Sequence, residues 1–141
     1  LDFNTSGLLI FTTDGNFANR LMHPRYEIER EYSVRVLGKL NNKQIAELKS
    51  GVKLEDGIAK FQKIIFKGGE KFNHSYHVIL KEGRNREVRR LWESQGVKVS
   101  RLKRVRFGPI FIPSTVTRGK YQELSKSEIN KLLKATESKP R

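Results

Sequence analysis

Four arginines fall within seven positions of this 141-residue chain: Arg84, Arg86, Arg89 and Arg90. A guanidinium stays charged at any ordinary pH and presents a planar fork of donors, the geometry that phosphate oxygens accept. On a helix, Val88, Leu91 and Trp92 form an apolar stripe at i, i+3, i+4. A step of about 100° per residue then puts Arg86 and Arg90 on the opposite face, free to meet phosphate. Arg89 falls between, beside Trp92, where it borders the core and can point into a cleft. The next strand carries Arg101, Lys103, Arg104 and Arg106 and places cations on both faces, which an ordinary half-buried strand avoids. Together with Arg84, these side chains form a candidate track for a nucleic-acid backbone, whose phosphates supply affinity and register. The competing reading is a solvated, charged edge that discourages aggregation.

Asp2 precedes a turn, Asn4-Thr5-Ser6-Gly7, that leads into an apolar run. Such a turn can aim a carboxylate into a cleft, although by its type and position alone Asp2 reads as a turn or helix-cap residue. His74 and His77 lie three apart without further ligands, so no metal site is expected, and His23 before Pro24 suits a turn or pocket wall. The stretch Lys67-Gly68-Gly69-Glu70-Lys71 reads as a flexible turn and not as a phosphate loop, because no helix follows it.

The elements that must position these groups follow from pattern. Residues 7–12 form a continuous apolar run suited to a buried strand. Asp14 caps a short helix through Ala18, Leu21 and Met22 that Pro24 stops. Residues 31–37 read as a strand with Tyr32, Val34 and Val36 on one face and Ser33, Arg35 and Leu37 on the other. Asn42 caps a helix carrying Ile45 and Leu48, which Gly51 ends. Residues 52–54, 59–66 and 76–80 suggest a β-meander broken at Asp56-Gly57 and Gly68-Gly69. A helix over 85–95 and a strand over 99–107 follow, then short apolar pieces at 110–112 and 121–124. Ser125 with Glu128 signals a last helix carrying Ile129, Leu132 and Leu133. Irregular alternation of strands and helices predicts an α+β fold on a mixed or mostly antiparallel sheet. Residues 1–135 are expected to form one domain and 136–141 a basic tail.

Composition narrows the partner. Twenty-nine Lys and Arg against 15 Asp and Glu give a formal net charge of +14 and a pI near 10.2. A single-signed field of that size attracts polyanions, and nucleic acid leads an anionic membrane surface as partner. A membrane-surface protein would need an exposed apolar helix face, and here that face is used for packing. There is no cysteine, hence no disulfide or thiolate-bound metal. No apolar run approaches a membrane span and no secretory pattern is present, so a soluble cytoplasmic protein is expected.

Three stretches resemble one enzyme family. Leu1-Asp2-Phe3-Asn4-Thr5-Ser6-Gly7-Leu8-Leu9 resembles the aspartate motif of the pseudouridine synthases, and Glu29-Arg30-Glu31-Tyr32 resembles their tyrosine motif. Residues 82–91, continued by Leu102 and Gly108, resemble their third, basic motif. With residues 51–57 these forms are similar to the branch that modifies ribosomal RNA of the small and large subunits. One motif would be weak; three in order, spanning residues 1–135, are specific.

The resemblance implies the synthase catalytic fold with flanking helices, and an isomerase that detaches uracil from ribose, turns it and rejoins it through carbon, with no cofactor and no metal. It makes Asp2 the nucleophile or initiating carboxylate, by a route the sequence leaves open. Tyr32 then packs against the flipped base and assists late proton removal, Arg89 pairs with Asp2 and holds it ionised, and Leu102 lines the pocket. The target uridine must leave its stack, a cost that the basic surface helps to offset. The implied partner is ribosomal RNA, the large subunit favoured, with the protein a monomer. The Gly-Arg that precedes the aspartate in the family, an upstream strand and a small N-terminal RNA-binding domain do not precede Leu1 here. The sequence as it stands is therefore expected to fold as an N-terminally truncated catalytic domain and to be weak or inactive on ribosomal RNA. The rival reading is a non-catalytic basic RNA-binding module associated with the ribosome.

Overall fold

The computed structural model describes residues 5–114 and 116–137; Asp2 lies outside them. In chain order the elements are β1 (Ser6–Gly7), α1 (Gly15–Met22), a 3-10 turn (Pro24–Tyr26), β2 (Arg30–Leu37), α2 (Asn42–Ser50), β3 (Val52–Leu54), β4 (Gly57–Ala59), β5 (Lys63–Glu70), β6 (Asn73–Leu80), α3 (Glu87–Glu93), β7 (Lys98–Phe107), β8 (Ile110–Phe111) and α4 (Lys126–Ala135). The main sheet runs β1-β7-β2-β6-β5, with β8 paired to β7 and a separate β3-β4 hairpin. Among the described residues only the β1-β7 pairing is parallel. The α+β expectation on a mixed sheet holds.

Alternation along β2 sets two faces. Arg30, Tyr32, Val34 and Val36 share one with Leu80, Val78, Tyr76 and His74 of β6. Over this inner face pack α2, α3 and the β3-β4 hairpin. Trp92 is fully buried between Phe61 and Tyr76, with ring centroids 5.6 and 4.9 Å away. A second cluster gathers Leu21, Ile28, Phe107, Ile110 and Leu132 from α1, the loop after it, the end of β7, β8 and α4.

Caps explain most boundaries. The Asp14 side chain accepts from the Phe17 N–H, and Ser125 with Glu128 closes a reciprocal capping box. The second helix is capped by Asn41 with Gln44, one residue before the expected Asn42. The third starts two residues late, because Arg86 takes a left-handed conformation at φ 52°.

Four expectations are corrected. The run 7–12 is not a buried strand. Only Ser6–Gly7 pairs with β7, after which Leu8 and Ile10 pack on the second cluster while Leu9 and Phe11 are exposed. A Cβ at Gly7 would stand 2.2 Å from the Arg104 carbonyl oxygen, so this pairing requires glycine. Gly68 and Gly69 do not turn the chain but belong to β5, at a register shift, and the reversal comes at Lys71-Phe72. The run 59–66 is split into β4 and β5 by Phe61, whose ring is anchored in the core.

The fourth correction concerns β7, whose cations do fall on both faces but whose inner face is otherwise apolar, with Arg104 its one cation. Val99, Leu102 and Phe107 are all buried although their spacing breaks alternation. Two register shifts against β2 insert Ser100 and Val105 as extra residues, and each resets the phase. Thus Val99, Leu102, Arg104 and Phe107 align with the inner residues of β2, and Lys98, Arg101, Lys103 and Arg106 with the outer ones.

Candidate active site

The inner face of the sheet opens, at the β1 side, into a cleft of about 420 Å³. Its floor comes from β2, β6 and β7 through Tyr32, Leu80, Leu102 and Arg104. One wall is the loop 82–86 with Glu87 and Val88 of α3; the other is Leu9, Ile10 and the face of α1 carrying Ala18, Leu21 and Met22. The volume suits a single nucleobase with part of its sugar, and apolar walls with few polar groups are typical of such sites.

The strand pairing brings Tyr32 and Leu102 together. Tyr32 lies opposite Arg104, and Leu102 opposite Val34, on the same face of adjacent strands. Leu102 is buried and Tyr32 half-buried. Arg89 is 8% exposed on the helix whose first two residues wall the cleft. Thr5, the first described residue, also lines it.

Two further arginines build the floor. The Arg104 Nε donates to the Leu8 carbonyl at 2.9 Å and its guanidinium stands 5.4 Å from the Phe107 ring centre. Arg30, buried, donates from Nη1 to the Ile28 carbonyl at 2.9 Å and stacks 5.0 Å from the same ring. Burial pulls the pKa of the Arg30 guanidinium below its usual value. The sequence reading starts this strand at residue 31 and so omits Arg30; the same alternation extended by one residue places it beside Tyr32.

A carboxyl pair shapes the wall. Glu87 is 3% exposed; its Oε1 accepts from the Arg84 N–H at 3.0 Å, and its Oε2 has no hydrogen-bond donor among the described residues. Burial, and then a proton shared with the Glu82 carboxyl, pushes Glu87 up to about 7. Burial opposes ionisation of Glu82 too, but hydrogen bonds from Glu87 and Arg84 outweigh it and hold Glu82 below the usual carboxylate range.

Several cations expected to meet phosphate are occupied instead. Arg90 is not free: it grips Asp56 with two bonds, of 2.8 and 3.0 Å. Arg84 holds Glu82 at 2.7 Å and Asp56 at 3.3 Å, and also donates to the Ile58 carbonyl. The Arg90 fork holds the Asp56 carboxyl down at about 2. The hairpin tip is thereby clamped to α3, which no sequence pattern around Asp56-Gly57 reveals. Arg106 reaches Glu31 and Glu29, both at 3.1 Å, and His77 meets the other oxygen of Glu31 at 2.9 Å. Arg86 is exposed and lines the cleft, ahead of α3 instead of on its outer face. Arg101 and Lys103 are exposed on the far face of the sheet. Among the described residues no group of three or more His, Asp or Glu side chains is placed to hold a metal ion, and no helix is long and apolar enough to cross a membrane.

Comparison with known proteins agrees with this geometry. Over 141 residues the chain is 60% identical to the ribosomal large subunit pseudouridine synthase B of Pseudomonas aeruginosa, covering 99% of this chain and 36% of that protein. It is 55% identical to the synthase of the same name from Vibrio cholerae, with 99% and 44% covered, and 56% identical to that of Escherichia coli K12, with 99% and 48% covered. The chain thus spans less than half the length of these relatives. A crystal structure of a pseudouridylate synthase superposes with a TM-score of 0.81 at 28% identity, over 94% of this chain and 56% of the other. A Cbf5-Nop10-Gar1 complex shares the fold alone, at a TM-score of 0.55 and 19% identity. The sequence model of the RNA pseudouridylate synthase family matches residues 1–94, from the stretch that enters β1 through the arginine-bearing helix walling the cleft. On that match, over more than half its length, this chain belongs to the RNA pseudouridylate synthases.

Proposed function

We propose that this chain is the catalytic part of a cytoplasmic, monomeric enzyme that converts one uridine of large-subunit ribosomal RNA to pseudouridine. The observation that carries the proposal is the cleft itself: Tyr32 and Leu102 meet on its floor, and its size fits a flipped uracil. A uridine leaving its stack would lay its ring against the Tyr32 phenol and the Leu102 side chain. Arg104, Arg30 and Arg86 ring that position with positive charge and favour the flanking phosphates.

Asp2, outside the described residues, would attack or deprotonate to start the exchange of the N-glycosidic bond for a carbon bond. Arg89 would keep that carboxylate ionised, because an adjacent cation stabilises the charged form. The uracil stays in the cleft while it turns, and Tyr32 lies where it can help remove the proton left on the new carbon centre. No atom is gained or lost overall: the proposed reaction is an isomerisation.

The test uses the full-length protein. Pseudouridine is mapped in ribosomal RNA from cells that carry the gene, lack it, or carry Asp2→Asn. The proposal expects one site to vanish in both altered strains while the Asp2→Asn protein still binds RNA. Unchanged modification with Asp2→Asn would refute it and favour a basic RNA-binding module.

A further inference from the structure

The cleft uses one face of the sheet, while the outer face carries cations of its own. Ser33, Arg35, Ser75, Arg101 and Lys103 surround a shallow depression of about 240 Å³ on that face. Lys98 continues it along β7, and Lys63 lies two strands away on β5, both exposed. No outward side chain of β2, β6 or β7 in this region is fully buried, so no described element covers it.

Three features separate these cations from those around the cleft. First, they are not neutralised. Arg84, Arg90 and Arg106 each hold a carboxylate. Among the described residues, by contrast, Arg101, Lys103, Lys98 and Lys63 make no side-chain hydrogen bond or ion pair. Among the described strand residues, the acidic ones on this face are Glu31, already held by Arg106 and His77, and Glu70 at the far end of β5.

Second, Arg35 and Arg101 are direct cross-strand partners. Like charges in that position destabilise a sheet, and a bound anion removes the penalty. Third, the guanidinium is oriented. Ser100, the extra residue of the first bulge, accepts from the Arg35 Nε at 3.1 Å and donates to the Arg35 carbonyl at 3.1 Å. The hydroxyls of Ser33 and Ser75 add donors between the cations.

A face awaiting another protein layer would carry apolar residues at its centre. Here the centre is Ser, Arg and Lys, and the apolar Leu37, Ile65 and Ile79 sit around it. We infer that the outer sheet face centred on Arg35, Arg101 and Lys103 is a second RNA-backbone surface, which holds a segment of the structured substrate remote from the uridine in the cleft. The inference rests on the RNA-modifying reading of the cleft and adds to it a docking site that reads phosphate and not sequence. A short hairpin filling the cleft cannot also reach this face, which lies on the opposite side of the sheet.

The experiment measures RNA binding by the full-length protein against salt, with a long ribosomal fragment and with a minimal hairpin around the modified uridine. The variant Arg35→Gln, Arg101→Gln, Lys103→Gln is compared with the charge-preserving Arg35→Lys, Arg101→Lys, Lys103→Arg. Three lost phosphate contacts should lower the slope of log affinity against log salt by about 2 to 3 for the long fragment. Its affinity should fall by about tenfold or more near 0.15 M salt, the hairpin should lose less than about twofold, and the charge-preserving variant should bind like the parent.

An unchanged slope on the long fragment overturns the inference, as does an equal loss on both RNAs. Protection of Lys98 and Lys103 from acetylation in the RNA-free full-length protein also overturns it, by showing another part of that protein on the face. Loss of binding to anionic phospholipid vesicles with RNA affinity intact would assign the surface to a membrane instead. Pseudouridine formation by the parent protein is scored alongside. No product refutes the reading of the cleft and this surface with it; product with an unchanged slope refutes this surface alone.

Discussion

Replacing Glu87 with glutamine tests the carboxyl pair in the cleft wall. Moving a carboxyl from 4.5 to about 7 makes its ionised form costlier in the folded state by roughly 3 kcal/mol. A raised carboxyl binds its proton more tightly folded than unfolded, so its stabilisation is complete below about pH 4.5 and is lost as pH rises through about 7. Glu82, shifted the other way, contributes above its unfolded value and loses that contribution only in acid, so it does not cancel the slope near neutrality. A glutamine at position 87 can still accept from the Arg84 N–H and can donate its amide to Glu82 at any pH. The Glu87→Gln chain should therefore match the parent near about pH 5 and exceed it by roughly 2 to 3 kcal/mol near about pH 8. For a chain of this length that is a melting difference of roughly 5 to 10 °C. Circular-dichroism melts of the 141-residue chain across this pH range, with carbon-13 titration of the Glu87 carboxyl, provide the readout. A constant offset between the two proteins, or a Glu87 carboxyl titrating at its ordinary value, would refute the reasoning.

Trp92→Ala removes the largest fully buried side chain and should cost about 3 to 5 kcal/mol, measured by urea unfolding. Gly7→Ala forces a Cβ into the Arg104 backbone; amide exchange at Leu8, whose N–H donates to the Arg104 carbonyl, should accelerate by more than about tenfold while the core amides stay protected. Asp56→Ala releases Arg90, while Arg84 keeps its bonds to Glu82. Exchange across the β3-β4 hairpin should quicken, and RNA should bind more tightly at low salt as the Arg90 guanidinium becomes available; weaker binding with an unchanged hairpin would contradict the clamp.

The sequence was most legible where a local signal has a local cause. Asp14 and the Ser125-Glu128 pair announce their helices because a cap is satisfied within three residues. Val88, Leu91 and Trp92 announce a buried stripe because helical spacing alone aligns them, and Arg89, expected at its border, is buried with them. Tyr32 and Leu102 were named through family resemblance, and strand pairing then put them on one floor. What stayed hidden depends on partners far away in the chain. Asp56 looks like a turn residue until Arg90, 34 positions later, closes on it. Glu87 looks like a helix-start acid until the packed wall removes its water. The glycines at 68 and 69 punctuate a sequence as turns do, yet both lie within a strand, and Gly69 lets it pass close to Asn73 and His74.

The two extra residues in β7 have a consequence for how this strand can vary. Because Ser100 and Val105 each shift the count by one, the identity of a cation along the strand does not reveal which side of the sheet it serves; its place relative to the bulges does. Deleting Ser100 alone would keep every charge and every face, since Val99 opposite Val36 and Arg101 opposite Arg35 would then alternate directly, and would cost only the hydroxyl that orients Arg35. Substitution can tune either side of this strand separately, whereas a single insertion or deletion among its paired residues exchanges the faces beyond it.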